Sequence, residues 1–555
     1  MSQVTALPTG HDGRPEPTDE VGGPPASPDA PAGGPTGDGD GPEPDAPSRA
    51  DLRLDRLRRL WFISLGFVGV QAALLIAWSS FQAHRFALGI DFSIYNQGAW
   101  LIAHGHLAPW STIDGYSFAR DHFTLLMWPI GLVYALAPHP TTLLVLQDLA
   151  SAGAGLVAIR WILEVLEYRL RTTRGALGVG VVALIVATAL IAILVDPWIW
   201  QADAFDFHME AFSALLIVLA SRDFWRHRPQ RALLWCGLTL LSGDLGGLLV
   251  IGLGLSVIVA ATGYRRWGGV TLVLGAAWTA AVHGLGFAHG SNLAGYAALV
   301  YVAPKTGPVS MADLAHALAL HPSRVYWAVK AKSGLYYQNL VPTGFLGLVN
   351  PWTFGVTNIV FLSTALMGPA IFLQSGFQCI PAYALGLVGT VLTVVAILTH
   401  GDARRRRRLR RTVAALIGVV VLAQVVGLAA VMLPRTGANW VRISSTQADE
   451  LGSVLAATPP DAQVITSDGV VGRFSGRVHV EPYPWWGGGA YPIRSREVVF
   501  VIVPNAGIES LPPAAELQAL QYVRGVLHAH PITTRDGIYA YRWYPGPAVH
   551  SLALP

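Results

Sequence analysis

Lysine is almost missing from this chain: Lys305, Lys330 and Lys332 are the only three among 555 residues. Charged side chains of every kind make up 13%, against roughly 25% in an average soluble protein. So little charge cannot wet the surface of a soluble globule of this size, and that class is excluded. The formal net charge of +4 is too small for a nucleic-acid partner, which would need a concentrated basic face. Cysteine is scarce as well. Cys236 and Cys379 form no metal-ligand spacing and no disulfide framework, and each lies in or beside an apolar block, where a buried thiol is expected. The sequence also lacks a phosphate-binding glycine loop, a nucleophile elbow and any internal repeat. Scarce lysine beside abundant Arg, Ala and Gly reflects base composition rather than function.

What the chain has is apolar surface. Apolar residues are 52% of it, gathered in blocks that approach or exceed the ~20 residues needed to cross a bilayer. The expected fold is therefore an α-helical polytopic membrane protein. Residues 1–50 are Pro, Gly and acids with few large apolar side chains, and are expected to form a disordered cytoplasmic tail. Arg53, Arg56, Arg58 and Arg59 precede the first apolar run, 60–80, and hold the N-terminus in the cytoplasm. The polytopic region is expected over 51–435, with large outer loops at 81–140 and 288–344. Crossings are expected near 143–159, 178–194, 211–220, 232–241, 245–261, 270–287, 383–398 and 413–433, with 123–137 re-entrant and 346–366 left open. This model places the arginines at 160–174, 222–231, 265–266 and 404–411 on the cytoplasmic side. Nine to eleven helices, an odd number, result, and the C-terminus falls outside. From 436 onward, ValIleThrSerAsp at 464–468 and ValValPheValIleValPro at 498–504 read as buried strands and 514–528 as an amphipathic helix. That alternation predicts a small extracytoplasmic α/β domain over 436–555.

The stretch from Ala202 to Phe212 holds Asp203, Asp206, His208 and Glu210 between apolar runs. Ionisable groups at a membrane boundary are costly, so they mark a candidate site. As an extended segment, Asp206, His208 and Glu210 share a face; as a helix, Asp203, Asp206 and Glu210 do. Either set could hold a divalent cation, or form a structural hydrogen-bond network. Asp91, Asp121-His122 and Asp244 are expected on the same side of the membrane. Asp91 is a candidate base or metal ligand, or else a helix cap or an ion pair with Arg85. His122 is a candidate acid or phosphate contact. Asp244, flanked by glycines, could equally cap the next helix. Arg120, Lys330 and Lys332 could contact a phosphate.

The segments IleAspPheSerIleTyrAsnGln at 90–97, ArgAspHisPheThr at 120–124, AspPheHisMetGlu at 206–210 and Asp244 heading a span together resemble a large prokaryotic family of predicted membrane proteins catalogued as a domain of unknown function. The likeness covers roughly 60–540. It departs at Gly243, where that family commonly has an acid, and at Thr124 and Leu125, which no proline follows closely. The family in turn resembles, in layout, the GT-C glycosyltransferases. That resemblance implies transfer of a sugar from a polyprenyl phosphate on the outer face. Asp91, His122, Asp206 and His208 would be catalytic, and Tyr95, Gln97, Arg120, Glu210 and Asp244 would contact substrate. Membrane lipids and the lipid-linked sugar are the implied partners; no oligomeric state follows. A transporter or lipid flippase, and a non-catalytic scaffold, are the competing readings.

Overall fold

A computed structural model describes residues 49–120, 123–172, 178–284, 296–300, 309–334, 341–366, 379–399, 403–432, 442–485, 489–504, 506 and 513–555. The expected N-terminal tail lies almost wholly outside these residues, as do Asp121 and His122. The chain is a helical membrane protein with a small α/β region at its C-terminus.

Among the described residues, ten α-helices lead up to residue 284. These are α1 (Arg49–His84), α2 (Ile90–Ala103), α3 (Met127–Leu136), α4 (Thr141–Thr172) and α5 (Val179–Leu194), then α6 (Pro197–Phe205), α7 (Glu210–Trp225), α8 (Pro229–Leu240), α9 (Leu245–Ala260) and α10 (Arg265–Gly284). Among the described residues, five helical segments are long and apolar enough to cross a membrane: Leu57–His84, Thr141–Thr172, Gly180–Ala204, Ile380–Thr399 and Arg411–Ala430. Met127–Leu136, Leu245–Ala260 and Phe354–Leu366 are apolar but shorter. The nine to eleven helices expected from sequence therefore include several short ones that depend on their neighbours for cover. Ile380–Thr399 lies at the centre, with 83% of its apolar window buried, whereas that of Leu57–His84 is 22% buried and faces outward.

Small residues let these helices close up. A Cβ on Gly355 would stand 2.0 Å from the Gly252 carbonyl oxygen, so α9 and Phe354–Leu366 touch backbone to backbone. The Gly275 and Gly247 backbones make a similar approach between α10 and α9.

The arginines gather at one end. Glu164 of α4 binds Arg160, Arg222 and Arg226, and Arg160 also lies over the Trp61 ring at the start of α1. His227 stacks on Tyr264, next to Arg265 and Arg266. The helix Ala403–Met432 begins with the arginine run and reaches Pro197 with Gly427. At the opposite end stand the start of α2, the start of α7 and the α8–α9 hairpin, the last two joined by Ser213 and Ser242 hydroxyls 2.8 Å apart.

A short hairpin pairs β1 (Trp110–Ser111) with β2 (Tyr116–Ser117). The C-terminal region adds β3 (Gln463–Ser467), β4 (Val480–Tyr483), β5 (Tyr491–Pro492), β6 (Val498–Ile502), β7 (His530–Thr533), β8 (Tyr539–Trp543) and β9 (Ser551–Leu552), with β5 paired to β9. Its main sheet has the order β4-β3-β6-β8-β7, with β3 parallel to β4 and to β6. β8 pairs antiparallel with β6 and with β7. Every residue of β3 and β6 is buried, as strands covered on both faces must be; β6 is continuously apolar, whereas β3 also buries Gln463, Thr466 and Ser467. The helix Pro513–Gly525 packs beside Ile465, Val498, Phe500 and Ile502. On the other face, Val464, Val499 and Val501 share one core with the helix Ser445–Ala457, with Phe86 and Leu88 just before α2, and with Phe92 and Tyr95 of α2. The sheet is thus fused by apolar contact to the segment that carries Asp91.

Candidate functional site

The site is built where α2 begins. Gly89 occupies the cap position of α2 and supplies no side-chain acceptor for the free amides of the first turn. Asp206 fills that gap from across the fold. A Cβ on Gly89 would lie 3.2 Å from Asp206 Oδ2, and the Asp206 carboxylate takes hydrogen bonds from the Phe92 and Phe207 amides. Residues 206–208 are neither helix nor strand, so the helical alternative for this motif ends at Phe205. Gln147 of α4 holds the segment in place. Its Nε2 donates to the Asp206 carbonyl at 3.0 Å, and its Oε1 accepts the His208 amide.

This geometry brings Asp91 to His208, with Asp91 Oδ2 3.3 Å from His208 Nε2. The Asp91 side chain is 36% exposed and that of His208 only 5%. A substrate therefore reaches the acid and not the imidazole behind it. Asp91 also stands in the first turn of α2, where the helix dipole favours a negative charge. Burial opposes a charged His208. The hydrogen bond and charge of Asp91, together with the charges of Glu210 and Asp206, outweigh that and hold its pKa above the ordinary histidine value. Burial first, and the Asp91 charge second, push the Asp206 carboxyl up to about 7.

Of the residues singled out in the sequence, Asp91, Asp206, His208 and Glu210 come together. The others are placed differently. Tyr95 is 7% exposed, with its ring between those of Phe118 and Phe207 at 6.1 and 5.1 Å. Gln97 is wholly buried. Its Nε2 donates to Thr112 Oγ1 at 2.8 Å and to the Val478 carbonyl at 3.1 Å, and its Oε1 accepts the Thr112 amide at 3.1 Å. Substrate contact by these two side chains is corrected to packing for Tyr95 and to a staple for Gln97, because neither has a surface left to offer. Asp244 caps α9 through the Leu245 amide at 2.9 Å, the alternative its glycine-flanked position allowed. Arg120 is exposed at the end of a short 3-10 turn, while Arg85 donates to the Ile443 carbonyl. Lys330 lies over the Trp327 and Tyr326 rings, and Lys332 donates to the Thr364 carbonyl. His122 lies outside the described residues.

Sequence reasoning named Asp203 but missed Asp148, which forms a second layer with it beneath the site. Ser79 donates to Asp148 at 3.1 Å and Ser151 to Asp203 at 3.0 Å, with both acids buried among α1, α4 and α6. The signal was Gln147-Asp148 inside an otherwise apolar crossing. Among the described residues, no three His, Cys, Asp or Glu donors are grouped so as to hold a metal ion.

The fold and site define a polytopic membrane protein with a hydrogen-bonded acid–histidine pair at the end of its helices that adjoins the C-terminal domain. The chain belongs to the predicted membrane protein family DUF2079, which matches residues 85–537. No curated protein matches it. The crystal structure of ArnT from Cupriavidus metallidurans in the apo state is similar over 86% of this chain and 97% of that one, at 13% identity and a TM-score of 0.42.

Proposed function

We propose that this protein is a membrane glycosyltransferase that takes a sugar from a polyprenyl-phosphate donor, with Asp91 as the base. The carrying observation is the Asp91–His208 pair, in which a reachable carboxylate is oriented by a buried imidazole. The acceptor hydroxyl gives its proton to the Asp91 carboxylate as its oxygen bonds to the sugar's anomeric carbon. The bond from that carbon to phosphate oxygen breaks, and polyprenyl phosphate leaves with the electron pair. His208 acts as a positioning residue. Its Nε2–H aims the Asp91 carboxylate, and Glu210 and Asp206 sustain its charge. Exposed Arg120 is the candidate partner for the departing phosphate. The clustering of arginines at the far end of the bundle supports a cytoplasmic N-terminus and an extracytoplasmic site and C-terminal domain.

Asp148 and Asp203, wholly buried within membrane helices, favour a second reading, an ion-coupled transporter. The test compares membranes bearing wild-type and Asp91→Asn protein for transfer from a radiolabelled polyprenyl-phosphate sugar. A loss of about 100-fold or more, with the protein folded and inserted, is expected because an amide cannot take the proton. Undiminished transfer by Asp91→Asn would refute the base. A deletion strain with unchanged envelope glycans but failed solute or lipid movement would instead establish the transporter.

A further inference from the structure

Beyond α2's far end, the loop after that helix and the C-terminal domain enclose an open groove of ≈ 460 Å³, within the ~300–1,000 Å³ of small-molecule sites. Leu101, Pro109 and Trp110 form its apolar side, and His106, His479 and Arg494 its polar side. Both walls are fixed. Thr112 Oγ1 donates to the Val480 carbonyl at 2.7 Å and accepts the Val480 amide at 3.0 Å, and Trp485 Nε1 donates to the Thr112 carbonyl at 2.9 Å. The Arg494 amide donates to Gln463 Oε1 at 2.9 Å, which ties the opposite wall to β3.

The chemistry of the groove is specific. Trp110 is 51% exposed and offers a flat apolar face. Among the described residues, no acid lines the cavity. Glu481, whose charge is coupled to Arg494, is buried, and burial pushes its carboxyl up to about 8, so near neutral pH it does little to offset the guanidinium. Burial, aided by the Arg494 charge, lowers the His479 pKa and keeps this ring neutral. His479 Nδ1 is buried and out of a ligand's reach, so exposed His106 is the imidazole that the groove offers to a hydroxyl.

We propose that this groove binds a hexopyranose unit bearing one anionic group, with the ring against Trp110, a hydroxyl on His106 and the anion on Arg494. Ten residues of α2 separate Leu101 from Asp91, a distance of about 15 Å at ~1.5 Å per residue. Calling the bound unit part of the acceptor rests on the transferase reading; the binding itself does not.

The test uses the full chain in phosphatidylcholine nanodiscs, titrated with methyl glucuronide, glucose 6-phosphate and neutral methyl glucoside. At least one anionic sugar is expected to bind about tenfold or more tighter than the glucoside, since a guanidinium–anion bond is charge-assisted. Which one does so tells carboxylate from phosphate. Arg494→Gln should abolish the discrimination, and Trp110→Ala should weaken all binding, with amide exchange at Val480 unchanged as the check on folding. Equal binding of charged and neutral sugars, binding of none, or discrimination that survives Arg494→Gln overturns the proposal. Asp91→Asn should bind the anionic sugar as wild type does. Normal transfer by that variant would defeat the transferase reading and leave the groove standing.

Discussion

Replacing Gln97 with leucine tests how the C-terminal domain is locked to α2. The substitution keeps the apolar bulk but removes the hydrogen bonds to Thr112 Oγ1, the Thr112 amide and the Val478 carbonyl. The Thr112 hydroxyl keeps its bond to the Val480 carbonyl. One buried backbone group, the Thr112 N–H, is left without a partner, at about 1–3 kcal/mol, while the Val478 carbonyl belongs to an exposed residue and can turn to water. The local cost is therefore about 1–3 kcal/mol, which corresponds to a rise of about 5- to 150-fold in the population opened at this seam. Unfolding of the whole chain is a poor readout, because a polytopic protein with a second domain does not melt in two states. Hydrogen exchange in nanodiscs reads the seam directly. Protection of the Thr112 and Val480 amides should fall by that factor, while that of Val499 in the sheet interior holds. Protection at Thr112 within about threefold of wild type would refute the staple.

Three further outcomes follow from other parts of the structure. Asp206 and His208 both have pKa values above those of the unfolded chain, so the folded site binds more protons than the unfolded chain. Its stabilisation is complete below the unfolded values, about 4 for Asp206 and 6.5 for His208, and is lost as pH rises through the folded ones. Exchange protection over 206–210, corrected for intrinsic rate, should thus fall between about pH 5 and pH 8, and His208→Gln should flatten the upper part; a rise with pH would reverse the assignment. Gly355→Leu should separate α9 from Phe354–Leu366, since a Cβ there already meets the Gly252 carbonyl at 2.0 Å. Loss of folded protein in detergent, against a silent Gly263→Ala control with open space at its Cβ, measures it. Val526→Cys, at an exposed position of the C-terminal domain, should react with an impermeant thiol reagent in intact cells. Native Cys236 and Cys379 are buried and should stay silent; labelling only after permeabilisation would invert the topology.

Sequence alone made part of the site legible because charge in apolar surroundings is visible without a fold. Asp91, Asp206 and His208 stood out for that reason, and these three meet. What held them together was not visible. Gly89 leaves the α2 amides uncapped, and the acceptor comes from Asp206, more than a hundred residues later. Asp244 was legible in the other direction, since an acid after glycine and before an apolar run is a capping pattern, and capping is its observed contact. Gln97 was illegible. Its amide has no local partner that a motif could reveal, and its acceptor at Val478 lies 381 positions away. The buried strands were legible from composition, but their attachment to the helices was not, because apolar residues specify that they will be covered and not by what.

That attachment bears on chemistry at Asp91. α2 carries the acid and is held to the C-terminal domain from just before its start to its middle. The Gly472 amide donates to the Leu88 carbonyl at 3.1 Å just before Asp91, Asn96 donates to Ser475 Oγ at 2.8 Å in the middle, and Gln97 reaches Val478 a residue later. A Cβ on Gly472 would lie 2.5 Å from Leu88 Cβ, so the domain approaches as closely as a glycine permits. Asp206 then fixes the start of the same helix from the membrane side. The position of the Asp91 carboxylate is set jointly by two parts of the chain, and a substitution at Gly472 that lifts the domain away must displace the acid as well. An acid held in this way keeps a defined reach, which is what the proposed removal of a proton from an acceptor hydroxyl would require of it.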